Sequence, residues 1–85
     1  IIMTKITLGI IGGGQLGSML ATAAKKLKIK TIIFSNDINS PGQMFCDEFI
    51  LGNYSDFLKV KEFTDKVDLI TFEFENIPYE TLKKL

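Results

Sequence analysis

The sequence has 85 residues, 46% of them apolar, enough for one small folded domain and too apolar for a disordered chain. Ten basic and ten acidic side chains cancel, which leaves no electrostatic footprint for nucleic acid or an anionic membrane. Histidine is absent and Cys46 is the single cysteine, which excludes an internal disulfide, a histidine general base and any recognisable metal-ligand spacing.

No apolar run is long enough to span a bilayer and no signal peptide is recognisable, so a reducing, cytoplasmic setting is expected. Ile1 and Ile2 precede Met3 and are left out of the expected fold. KITLGII, Lys5 to Ile11, is a short, nearly continuous apolar run of the kind found in strands buried on both faces. From Gln15 the period changes to that of a helix. Leu16, Met19, Leu20, Ala23 and Leu27 recur on one expected inward face, with Lys25, Lys26 and Lys28 at the carboxyl end. KTIIF, Lys30 to Phe34, reads as a second strand, and Ser35 to Phe45 as a loop with a type II turn at Asn39-Ser40-Pro41-Gly42.

EFIL, Glu48 to Leu51, is a third strand ended by Gly52. Ser55 or Asp56 caps a helix with Phe57, Val60, Phe63 and Val67 on its apolar face. DLITF, Asp68 to Phe72, is a fourth strand, and Pro78 suits the first position of a final helix. Met19, Met44 and the seven phenylalanines are expected in the core, and Cys46 as a small packing residue. Tyr54 either packs beside a crevice or covers the sheet.

This alternation predicts a Rossmann-like α/β fold, three layers α/β/α around a four-stranded parallel sheet in the order 3-2-1-4. The chain direction around the sheet reverses between the first and fourth strands. Ligands bind at such a switch point, where the loops Gly12–Gly17 and Glu73–Asn76 are expected to meet.

Gly12-Gly13-Gly14-Gln15-Leu16-Gly17 fits G-x-G-x-x-G in the required strand-to-helix setting. Gly12 permits the tight turn, Gly14 a close ligand approach, and Gly17 close packing of helix on strand. The first helical amides favour an anion or acceptor oxygen, and Gln15 adds a donor and an acceptor at the lip. An NAD site would want an acid closing the second strand. Ser35 and Asn36 stand there, and Asp37 lies past the strand, which weakens the NAD(P)-module alternative. FEFEN, Phe72 to Asn76, places Glu73 and Glu75 on one side of an extended strand. Two carboxylates suit hydroxyls or an amine better than a pyrophosphate. Glu73, Glu75 and Asn76 are therefore the second half of the candidate site.

GIIGGGQLGSML, NSPGQMFCDEFILGNYSD and DLITFEFENIPYETL together resemble the amino-terminal domain of the N5-carboxyaminoimidazole ribonucleotide synthetase family. The resemblance covers essentially the whole chain and implies a pre-ATP-grasp domain over residues 3–85. The ATP-grasp domains, which clasp ATP and Mg2+ and belong to the same polypeptide, are then absent from this chain. It further implies an ATP-dependent ligase of purine biosynthesis that joins bicarbonate to the exocyclic amine of 5-aminoimidazole ribonucleotide. In that scheme Gln15, Leu16 and Glu73 contact the ribonucleotide, and no catalytic residue, metal or cofactor is held by this segment alone, which would turn nothing over. The parent is expected to be a homodimer. Ser35 and Ser18 depart from the Asp and Arg that many relatives carry there.

Overall fold

The computed structural model describes residues 6–72. Four strands, β1 (Thr7–Ile11), β2 (Lys30–Ser35), β3 (Glu48–Leu51) and β4 (Leu69–Phe72), form one sheet in the order β3-β2-β1-β4. Every strand pair in it is parallel. The connections carry α1 (Gln15–Lys26), the short 3-10 helix η1 (Pro41–Met44) and α2 (Phe57–Thr64). The expected strand order is the observed one. The helix expected from Pro78 lies outside the described residues.

Alternation along the strands sorts the core onto two faces. Ile10 pairs with Ile33, and both pack with Ala21 of α1 on one face. Ile11 pairs with Phe34, and both pack with Val60 and Phe63 of α2 on the other. The Phe34 ring lies 5.6 Å from Phe63 and 5.8 Å from Tyr54, centroid to centroid. β2 has a neighbour on each side and is buried from Thr31 to Ser35, which explains its unbroken apolar run.

Two aspartates set the starts of the parallel pairs. Asp68 donates its amide to the Thr7 carbonyl and accepts the Thr7 amide on its carboxylate, both at 2.8 Å. Asp47 does the same to Thr31, at 3.1 and 2.8 Å. Each carboxylate satisfies a backbone amide at a strand start.

The inward face of α1 differs from the expected one. Gly17, Ser18, Ala21 and Ala24 are buried, whereas Leu16, Met19, Ala23 and Leu27 are exposed and Leu20 is half-buried. The helix lies close on the sheet and against η1, so small residues occupy the contact and larger ones are turned outward. Ser18 is accommodated because its hydroxyl donates to the Gln15 carbonyl at 2.7 Å. Met44, Phe45, Phe57 and Phe72 are likewise exposed rather than core, and Phe34 and Phe63 are the fully buried phenylalanines among the described residues.

Instead of a type II turn, the segment forms η1 (Pro41–Met44) between the caps Ser40 and Phe45, with the amide of Gln43 on the Ser40 carbonyl and that of Phe45 on Gly42. Pro41 at the first helical position presets the required φ, which favours the helical turn. Asp56, not Ser55, caps α2 by accepting the Lys59 amide. α2 ends at Thr64, so Val67 packs on the core from beyond the helix. No helix among the described residues is long and apolar enough to cross a membrane.

Candidate functional site

β1 delivers the chain into Gly12, whose φ of 108° lies in the region that disfavours side chains. The Gly12 amide still donates to the Phe34 carbonyl at 2.8 Å, so pairing with β2 persists one residue past β1 before the chain turns. Gly13 is buried, and a Cβ there would stand 2.6 Å from Ser40 Cβ and 3.3 Å from Ser35 Cβ. Its carbonyl accepts the Gly42 amide at 2.8 Å. Gly14 is the N-cap of α1 in extended conformation, without a side-chain cap, and its carbonyl accepts the Ser18 amide at 3.0 Å.

The amides of the first helical turn, Gln15, Leu16 and Gly17, have no carbonyl available within the helix. Gln15 and Leu16 are exposed at the lip, and Gly17 is buried beneath it. Residues 6–24 contain no ionisable side chain. Within that segment the backbone dipoles favour an anionic or acceptor oxygen, while Asp37 brings a carboxylate to the β2 side of the loop.

On the β2 side the loop borders a cleft of about 200 Å³, lined by Gly13, Gly14, Asn36, Asp37, Pro41 and Tyr54 among others. Ser35, at the end of β2, is buried and its Oγ sits 2.7 Å from Ser40 Oγ. Asp37 is past the strand, with Oδ1 accepting the Asn39 amide at 2.9 Å. Tyr54 packs on Phe34 and lines this β2-side cleft. Ser35, Ser40 and Gly42 also shape the loop, a contribution the sequence signals only through the Ser-Pro-Gly run after β2.

On the other side, Ile11 pairs with Phe72 across β1 and β4, so β1 ends level with the last described residue of β4. Gly12, Gly13, Gly14, Gln15, Leu16 and Gly17 are thus gathered at the switch point. Glu73, Glu75 and Asn76 lie outside the described residues. Among those described, no three His, Cys, Asp or Glu side chains are grouped to hold a metal. Cys46 is half-buried against the Ile10, Ala21 and Ile33 cluster, and that burial pushes its thiol pKa up.

A parallel sheet ordered 3-2-1-4, with a glycine corner at the strand-to-helix switch point, defines a Rossmann-like domain. The family model for the ribonucleotide synthetase preATP-grasp domain matches residues 3–85, and the chain belongs to that family. It is 46% identical over 79 residues to the N5-carboxyaminoimidazole ribonucleotide synthase of Staphylococcus haemolyticus, covering 93% of this chain and 21% of the relative. The enzyme of that name from Staphylococcus epidermidis is 43% identical over the same length, with the same coverage. A crystal structure of N5-carboxyaminoimidazole synthetase from Staphylococcus aureus complexed with ADP superposes with a TM-score of 0.89 at 39% identity. That superposition covers 96% of this chain and 22% of the other. The chain spans about a fifth of the length of the curated relatives it matches.

Proposed function

We propose that this chain is the ribonucleotide-binding side of an ATP-dependent ligase that carboxylates the exocyclic amine of 5-aminoimidazole ribonucleotide with bicarbonate. The product is N5-carboxyaminoimidazole ribonucleotide, an intermediate of purine biosynthesis. The observation that carries this reading is the glycine corner, Gly12 to Gly17, itself without a charged side chain, at the end of β1 and level with Phe72 of β4 in a ribonucleotide synthetase domain. Backbone amides there suit the oxygens of a sugar phosphate. Glu73, the residue after Phe72 in sequence, would accept hydrogen bonds from ribose hydroxyls or the amine. Glu75 and Asn76, which follow in the same FEFEN run, would add a carboxylate and an amide to the same contact.

The pre-ATP-grasp domain takes in residues 3–85, and ATP with Mg2+ is held by ATP-grasp domains of the same polypeptide. ATP supplies the phosphoryl group that activates bicarbonate. The residues described here hold and orient the amine's nucleotide. The parent enzyme is a cytoplasmic homodimer that binds neither nucleic acid nor membrane. An NAD(P) module is disfavoured because Ser35, not an acid, closes β2 and its hydroxyl is engaged by Ser40.

The test is steady-state kinetics of the full-length polypeptide with aminoimidazole ribonucleotide, ATP and bicarbonate. Glu73→Gln is expected to raise the ribonucleotide KM with little change in the ATP KM. Saturable NAD(H) binding without any response to the ribonucleotide would overturn the assignment.

A further inference from the structure

We infer that Ser40 and Gly42 are positioning residues for the glycine corner, acting from η1 through the Gly13–Gly14 peptide. Three observations carry this. The Gly42 amide donates to the Gly13 carbonyl at 2.8 Å. Gly42 is itself seated tightly, since a Cβ there would come within 2.7 Å of Ile33 Cδ1 and 3.1 Å of the Gly13 carbonyl oxygen. Ser40 lies directly under Gly13, close enough that only a residue without Cβ fits above it.

The hydroxyls of this segment form a directed ring. Ser40 Oγ donates to the Asp37 carbonyl at 2.7 Å, which uses its one proton. The 2.7 Å contact between Ser35 and Ser40 is then donated by Ser35, and Ser35 Oγ accepts the Asp37 amide at 3.1 Å. Both hydroxyls are buried, with 2% and 7% of the residue exposed, so water does not compete for these bonds. Ser40 is thereby held at one height against Gly13.

No cis bond occurs among the described residues, and in a trans peptide the C=O and N–H point in opposite directions. Holding the Gly13 carbonyl on Gly42 therefore turns the Gly14 amide away from η1. Gly14 is the N-cap, so the same constraint aims the start of α1. The connection between β2 and β3 thus orients an amide of the connection between β1 and α1.

This inference rests on the ribonucleotide reading of the glycine corner, and the experiment separates the two. Gly14→Ala, Ser40→Ala and Gly42→Ala are made in the full-length polypeptide, and KM is measured for ribonucleotide and for ATP. Ser40→Ala keeps the Cβ that supports Gly13 and removes only the hydroxyl ring, so it folds even where Gly42→Ala does not. The expected result is a ribonucleotide KM raised roughly 5-fold by Ser40→Ala and more by Gly42→Ala, with ATP KM and kcat unchanged. Ser35→Ala should show the same split more weakly, because the bond from Ser40 to Asp37 survives. A lower melting temperature with both KM values unchanged would make Ser40 merely structural and overturn the inference. If Gly14→Ala raises the ribonucleotide KM but Ser40→Ala does not, the inference fails and the site reading stands. If neither variant moves it, both fall.

Discussion

Ile11 and Phe72 face each other in the β1–β4 ladder, so β1 hands over to Gly12 level with the last described residue of β4. Gly12 turns at φ 108°, where an L side chain meets its own backbone. Gly12→Ala is expected to cost roughly 1–3 kcal/mol of stability. Because the turn aims everything after it, the ribonucleotide KM of the full-length polypeptide should also rise, by about tenfold. Urea unfolding and initial-rate kinetics check the two effects. Unchanged stability would mean that the corner relaxes to a conformation open to any residue.

Gly9, in the middle of β1, meets α2 rather than a ligand. A Cβ there would come within 2.7 Å of Phe63 Cζ and 3.0 Å of both Val67 methyl groups. Phe63 is fully buried and cannot swing into solvent. Gly9→Ala should therefore destabilise by about 1–3 kcal/mol through overpacking. Shortening the ring partner in Gly9→Ala/Phe63→Leu should cost less than the sum of the single changes, since the two residues share one space. Strict additivity in denaturant titrations would refute the contact.

The strand order and the glycine corner were legible because each follows from a period or spacing that topology then constrains. β2 reads as an apolar run since both faces and both edges are covered, and Gly12 reads as a turn since a helix pattern starts three residues later. The inward face of α1 was not legible. Leu16, Met19, Ala23 and Leu27 form a regular apolar stripe, yet the side pressed to the sheet is Gly17, Ser18, Ala21 and Ala24. Hydrophobic size misleads where two backbones approach closely, because contact then selects small residues, and a serine that bonds its own helix counts as one. The support that Ser40 and Gly42 give Gly13 was hidden for another reason. It joins residues about thirty positions apart through backbone groups, which leave no trace in side-chain pattern.

Lys28 follows the carboxyl end of α1 at φ 60°, the left-handed position where helices favour glycine. The Ile29 amide reaches back to the Ala24 carbonyl at 2.9 Å and the Lys28 amide to Lys25 at 3.0 Å, so the terminal motif is complete despite the lysine. Replacing it with glycine removes the Cβ strain, partly offset by a more flexible unfolded chain. Lys25, Lys26 and Lys30 lie close by in sequence, so the repulsion relieved offsets the favourable contact of one cation with the helix dipole. Lys28→Gly is expected to stabilise by about 0.5–1 kcal/mol, read as a higher urea midpoint at unchanged slope. A lower midpoint would show that the lysine side chain makes a contact worth more than the strain.

Cys46 couples packing to pH. Removal from water is the largest influence on its thiol and pushes the pKa above the ordinary 9.0, outweighing the backbone hydrogen bonds that act the other way. The native chain therefore keeps the thiol proton at a pH where the unfolded chain releases it. The corresponding stability is fully present below the ordinary pKa and is lost as pH rises through the folded value. The comparison is with Cys46→Ala, which removes this proton alone. The stability difference between the two chains should be constant from pH 7 to about pH 8 and shrink above about pH 9. Alkylation by iodoacetamide at pH 8 should be slower than for a free cysteine and recover in urea, because the thiolate is the reacting form. Labelling as fast as free cysteine in the native chain would mean that Cys46 is not shielded by the Ile10, Ala21 and Ile33 cluster.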